Sequence, residues 1–221
     1  TAGSTATLTA TNAGTGGAVT FQDAVILGTN VSISTTPGTA TGSGTATGGV
    51  ISFQSTVAAT SAGVQTLTLA AGDTGATAGG TGLVTGGDIT FTGAAGTTRL
   101  GGLTINSGDD VNFVAGVTSN ALTTTSKSFT ATTITTGSVA GQAGGAVDIN
   151  MGTTDGAVSI TGLIDTRGGT RTGAGNGFAG GAVTIDGDTI AVNTINTSGG
   201  NADTEGLGGN AGLVTLNATN A

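Results

Sequence analysis

The sequence predicts an all-β chain, a parallel β-helix wound from short repeats, and three observations predict it. A Gly-Gly pair followed by an alternating apolar stretch returns along the chain, helix formers are scarce, and the segment of variable length follows the third strand of each repeat. The residues Glu, Lys, Gln, Arg and Met are few, while Thr, Val and Ile fill the stretches between 45 glycines, so β-propensity wins nearly everywhere.

Gly16-Gly17-Ala18-Val19-Thr20-Phe21 opens the series. It returns as Gly48-Gly49-Val50-Ile51-Ser52-Phe53, Gly86-Gly87-Asp88-Ile89-Thr90-Phe91, Gly144-Gly145-Ala146-Val147-Asp148-Ile149 and Gly180-Gly181-Ala182-Val183-Thr184-Ile185. Weaker copies lie at Gly108-Asp109-Asp110-Val111-Asn112-Phe113 and around Val214-Thr215-Leu216. Between first apolar positions the offsets are 32, 38, 22, 36, 36 and 31 residues, an elastic period that marks a repeat architecture. Residues 1–221 are read as a single β-solenoid of about six or seven such repeats, starting near 16, 48, 86, 108, 144, 180 and 208.

Each repeat holds three strands. Val147 and Ile149, Val158 and Ile160, then Ile164 match Val183 and Ile185, Ile190 and Val192, then Ile195. Apolar residues alternate with Thr, Ser, Asp or Asn, the pattern of a strand buried on one face. After the third strand comes a Gly-, Thr- and Ala-rich excursion, at Thr36 to Thr47, Ala70 to Thr85, Arg167 to Ala179 and Ser198 to Asn210. Excursions of this kind predict loops along one corner of the coil, with glycine supplying backbone angles closed to other residues. One coil of about 20 residues buries too little to offset its chain entropy, so stability comes from stacking. Tandem β-sandwich modules are the alternative; they fit less well, because Trp and Tyr are absent and the repeat is about a third of a sandwich in length.

Gly86-Gly87-Asp88-Ile89-Thr90-Phe91-Thr92-Gly93-Ala94, Leu100-Gly101-Gly102-Leu103-Thr104-Ile105-Asn106-Ser107 and Asp110-Val111-Asn112-Phe113 resemble the repeats of very large bacterial surface and secreted proteins of filamentous-haemagglutinin type. The resemblance implies a right-handed parallel β-helix, export from a bacterium, and a place in adhesion, a surface layer or a fibre. It transfers no binding residue.

Histidine and cysteine are absent, which excludes Ser/His/Asp and Cys/His nucleophilic systems, disulfides and thiolate metal sites. A net charge of −8, with Arg99, Lys127, Arg167 and Arg171 the only cations, argues against nucleic acid. No apolar run approaches the roughly 20 residues of a membrane span. Asp186 and Asp188 could face one way as paired acids of a polysaccharide hydrolase, although a polar corner explains them as well. Asp109-Asp110 loosely matches calcium-binding glycine-aspartate repeats but lacks their nonapeptide period, and Asp203 and Glu205 fit solvated loop charge. Thr5 to Thr11 and Thr130 to Thr136 raise an ice-binding reading, yet such sets do not recur at one position of the unit. Asn30, Asn196 and Asn217 begin glycosylation sequons of a kind common by chance in Thr-rich sequence.

The expectation is therefore no catalytic, cofactor-binding or metal-binding residue, and a non-enzymatic structural or adhesive element outside the cell or on its surface. A glycan-binding or glycan-cleaving module and an ice-binding protein are the alternatives. The chain opens without an initiator Met or signal peptide, which suggests a piece of something longer. Its first and last stretches, Thr5 to Thr11 and Leu213 to Ala218, are strand-like and uncharged. They point to a partner that is the chain itself, joined end to end, with a host surface or glycan as a further possibility.

Overall fold

Alternation along the chain becomes alternation of burial: Ile51 and Phe53 are buried while Ser52 between them is half open, and Leu67 and Leu69 are buried between Thr66, Thr68 and Ala70. The computed structural model describes residues 6–9, 15–37, 46–72, 84–106, 109–138, 141–151, 156–203 and 205–219. Within them the chain is all-β, and every strand pairing is parallel. Sandwich modules would show antiparallel sheets instead.

Pairing arranges the strands in three long ladders, with Ala46–Thr47 and Val84–Thr85 forming a separate two-stranded sheet. The first runs through Val19–Phe21, Ile51–Phe53, Ile89–Phe91, Asp110–Phe113 and Ser128–Ala131 to the first half of Ala157–Asp165 and of Thr189–Asn196. The second runs through Val25–Leu27, Val57–Ala59, Ala95–Leu100, Val117–Ser119 and Ile134–Thr135 to the second halves of those same long strands. These two ladders form one 12-stranded path that turns back through Ala157–Asp165. The third is an 8-stranded sheet of Ala6–Thr9, Val31–Ser34, Thr66–Ala70, Gly102–Asn106, Leu122–Thr125, Val147–Asn150, Val183–Gly187 and Val214–Ala218. One apolar cluster draws on all three ladders.

Columns of like residues fill that cluster. Phe21, Phe53, Phe91 and Phe113 stack face to face at 4.8, 4.7 and 4.6 Å, which is the spacing of hydrogen-bonded strands. The column ends by an exchange of size. Phe129 pairs with Val111 and Ala131 with Phe113, so the bulky ring shifts one column over and tilts by 48°. Ile160 and Val192 then continue the line.

The excursions are not placed as the sequence predicts. In the N-terminal half the excursions lie between the third ladder and the first, after Ser34 and after Ala70. In the C-terminal half they lie between the second ladder and the third, after Thr135, Asp165 and Asn196. Loops therefore occupy two corners and not one. The change hides in an offset of ordinary size: between Val111 and Val147 the chain lays down strands at 117–119, 122–125, 128–131 and 134–135 with no excursion after 122–125. Consequently Val147 and Val183, which match Val19, Ile51 and Ile89 in sequence, stand on the third ladder and not the first. Across this bare stretch Val111 pairs with Phe129, 18 residues on, which is close to the length expected of a minimal coil.

Glycine serves this stack by its size. Positive φ occurs at Gly63, Gly96, Gly116, Gly141, Gly173 and Gly175, none of them in a Gly-Gly pair. At Gly49 a Cβ would strike the carbonyls of Gly16 and Gly17, and at Gly181 those of Gly144 and Gly145. The pairs are needed where backbones cross at the foot of an excursion.

Candidate functional site

A recurring clasp closes the foot of each excursion. Thr35, Thr136, Thr166 and Thr197 each accept, at the carbonyl, the amide of Gly49, Gly145, Gly181 and Gly212 at 3.0, 2.9, 2.7 and 2.8 Å. Each hydroxyl then donates to the carbonyl of that same glycine, at 2.5, 2.7, 2.7 and 2.9 Å. Ala71 holds the equivalent place against Gly87 by the backbone bond alone. The sequence reading missed these threonines, although a signal exists: Ile33, Ile134, Ile164 and Ile195 each stand two residues before one.

Beyond the clasps the C-terminal excursions form a layer of their own. Gly168, Arg171, Gly175, Gly177 and Gly180 donate their amides to Ser198, Asn201, Glu205, Leu207 and Asn210 one rung on. Between the arms Gly200 donates to Phe178 and Gly209 to Gly200, with glycines where any Cβ would collide. At the tip the Arg171 guanidinium lies 4.6 Å over the Phe178 ring.

Where this layer leaves the second ladder there is a cleft of about 520 Å³, lined by Arg99, Asp165, Arg167 and Asn201 among others. A smaller space of about 140 Å³ on the far side of Arg99 is lined by Asn120 and Gln142. Asp165, buried, accepts from the Arg167 backbone amide at 3.1 Å, from Nε at 2.9 Å and from Nη2 at 2.8 Å. Arg99 reaches along the ladder and donates to the carbonyls of Ser119 and Gly137. Burial pushes the Asp165 carboxyl up, but the hydrogen bonds and charge of Arg167, with the charge of Arg99, outweigh it and hold it below the usual range. Burial lowers the Arg99 guanidinium against the pull of Asp165, and the bond to Asp165 raises Arg167.

The residues singled out from sequence lie elsewhere. Asp186 accepts from Asn217 Nδ2 and Asp188 from Thr219 Oγ1 at 2.5 Å, so both acids bridge neighbouring rungs, and neither lines the cleft. Asp109 pairs with Lys127 at 3.0 Å, and Asp110 accepts from Ser128 at 2.6 Å. Gly108 and much of the Thr36 to Thr47 and Ala70 to Thr85 excursions fall outside the described residues. Asp203 and Glu205 are exposed in the glycine-rich layer. Among the described residues no group of three or more acidic side chains stands placed to hold a metal. Asn30 accepts the Thr66 amide and Asn196 that of Ser198.

Thr130 and Thr135 stand on different ladders, and Thr5 and Thr11 fall outside the described residues. A hydroxyl column does run along the third ladder through Ser32, Thr68, Thr104 and Thr123, then breaks at Asp148 before Thr184 and Thr215. The column beside it mixes Asn106, Thr125, Asn150, Asp186 and Asn217. Comparison with protein-family models, with curated proteins and with solved structures returns no match, so function is read from these residues alone.

Proposed function

We propose that the chain is a segment of a right-handed parallel β-solenoid acting as a structural or adhesive element of an exported fibre or surface layer in a bacterium, extended through its end rungs. The observation that carries this reading is the last layer. Val183 and Ile185 are fully buried, whereas Val214 and Leu216, their partners one rung on, are 41% and 47% exposed. Ile190, Val192 and Ile195 in the same layer are only partly covered. Exposed apolar positions on a strand of this kind are a surface on which another strand can pair.

Support for a scaffold also comes from the sides. Phe21, Phe53, Phe91 and Phe113 stack on one another and Phe129 packs tilted against Phe113, while Phe178 lies under Arg171, so the rings form no exposed row for a sugar. The cleft holds one carboxylate, already paired, where hydrolysis of a glycan needs two. Light scattering and electron microscopy of the purified chain test the proposal. Elongated, concentration-dependent assemblies are expected, and Leu216→Asp should suppress them. A version lacking residues 1 to 14 separates strand donation from other end contacts. A soluble monomer at high concentration, unchanged by Leu216→Asp, overturns the self-associating fibre.

A further inference from the structure

We propose that the cleft at the second-ladder corner binds a singly charged, hydroxylated ligand, a sugar acid such as a uronate, with its carboxylate held between Arg99 and Arg167. Charge placement is the first argument. The chain carries −8 and four cations, of which Lys127 is paired with Asp109 and Arg171 is held over Phe178. The other two, Arg99 and Arg167, line one cleft together with a single carboxylate. Asp165 spends both oxygens on Arg167, while Arg99 meets two backbone carbonyls and no carboxylate. The corner thus keeps a net charge of one positive, and the guanidinium hydrogens of Arg99 and Arg167 not turned to Ser119, Gly137 and Asp165 are the donors a ligand carboxylate would take.

The walls supply the second argument. Gly168, Gly169, Gly199 and Gly200 carry no side chain into the space, and Thr170, Ser198 and Asn201 add hydroxyl and amide groups. A volume of about 520 Å³ lies within the range of small-molecule sites. Polar walls disfavour an apolar ligand, and the acidic surface repels a polyanion. One carboxylate on a polyhydroxylated body remains. This inference does not rest on the fibre reading, since binding and assembly are measured separately.

Calorimetric titration of the full chain at low salt with galacturonate, galactose and acetate tests it. Saturable galacturonate binding is expected, at least about tenfold tighter than either control, each of which lacks one half of the recognised chemistry. Arg167→Gln, which keeps the backbone-amide bond to Asp165 and removes the charge, should weaken galacturonate about tenfold, and Arg99→Lys should weaken it by loss of guanidinium donors. Equal affinity for galactose, equal affinity for acetate, absence of saturation, or binding unchanged in both variants would each overturn the proposal.

Discussion

The two halves of the molecule carry the same Gly-Gly signature and use it on different ladders. Before Phe113 the pair leads the chain onto the first ladder, beside a column of stacked phenylalanines. After Thr136 it leads onto the third, and aliphatic residues fill the column. The signature therefore marks re-entry after an excursion, where backbones cross too closely for a Cβ, and says nothing about which face follows. Four expectations put this contrast to the test.

The largest concerns the columns. Phe91→Ala removes a fully buried ring between two stacked neighbours and should destabilise by about 4 kcal/mol, against about 3 kcal/mol for Ile160→Ala in the other half. Denaturant unfolding gives the totals, and hydrogen exchange should place the first loss in rungs near 53 and 113. Equal effects spread over the whole chain would remove the distinction between halves.

Next come the crossings. Gly49→Ala and Gly181→Ala should each cost about 3 kcal/mol, since each Cβ meets backbone that cannot rotate away. Gly28→Ala, with nothing within 4 Å of its Cβ, should leave thermal stability nearly unchanged. Tolerance at Gly181 together with intolerance at Gly49 would show that the two crossings are not one device.

Smaller, and of opposite sign, are two threonines. Thr124 interrupts the aliphatic column between Ile105 and Ile149, 1% exposed, with a hydroxyl that has no partner among the described residues. Thr124→Val should stabilise by about 1 kcal/mol, while Thr166→Val, which breaks the clasp on Gly181, should destabilise by about 1 kcal/mol. Stabilisation by both substitutions in thermal unfolding would show that the clasp hydroxyl contributes nothing.

Much of this was legible in the sequence and some was not, for physical reasons. Alternation at Ile51, Phe53, Leu67 and Leu69 names the buried positions directly, because burial on one face imposes a period of two. The change of corner was hidden, since the 36 residues from Val111 to Val147 cost the same chain length whether they hold three strands and an excursion or five strands and a short one. Arg99 and Asp165 are 66 positions apart and line one cleft only because the ladder lays Val117–Ser119 and Ile134–Thr135 between their strands. Thr166 hides among many outward threonines until its partner, Gly181, is known.

A last effect of similar size is set by pH and separates the corner from the rest of the stack. Asp165 is held below the usual carboxylate range in the folded state, against its burial, by Arg167 and Arg99. A depressed value means that its contribution is fully present above the unfolded value of about 3.9 and is lost as pH falls through the folded value. With Arg167 55% exposed, solvent screening limits the pair to about 1 kcal/mol. Asp165→Asn should therefore lower stability by about that amount near pH 7, and the gap to the parent chain should close as the pH is taken toward 2. The amides of Thr136 and Gly137, which donate to the Asp165 carbonyl, should lose protection first in acid once intrinsic exchange is corrected. A gap that stays constant from neutral to acid pH would show that Asp165 acts through its hydrogen-bonding shape alone, and the charge assigned to this corner would have to be given up.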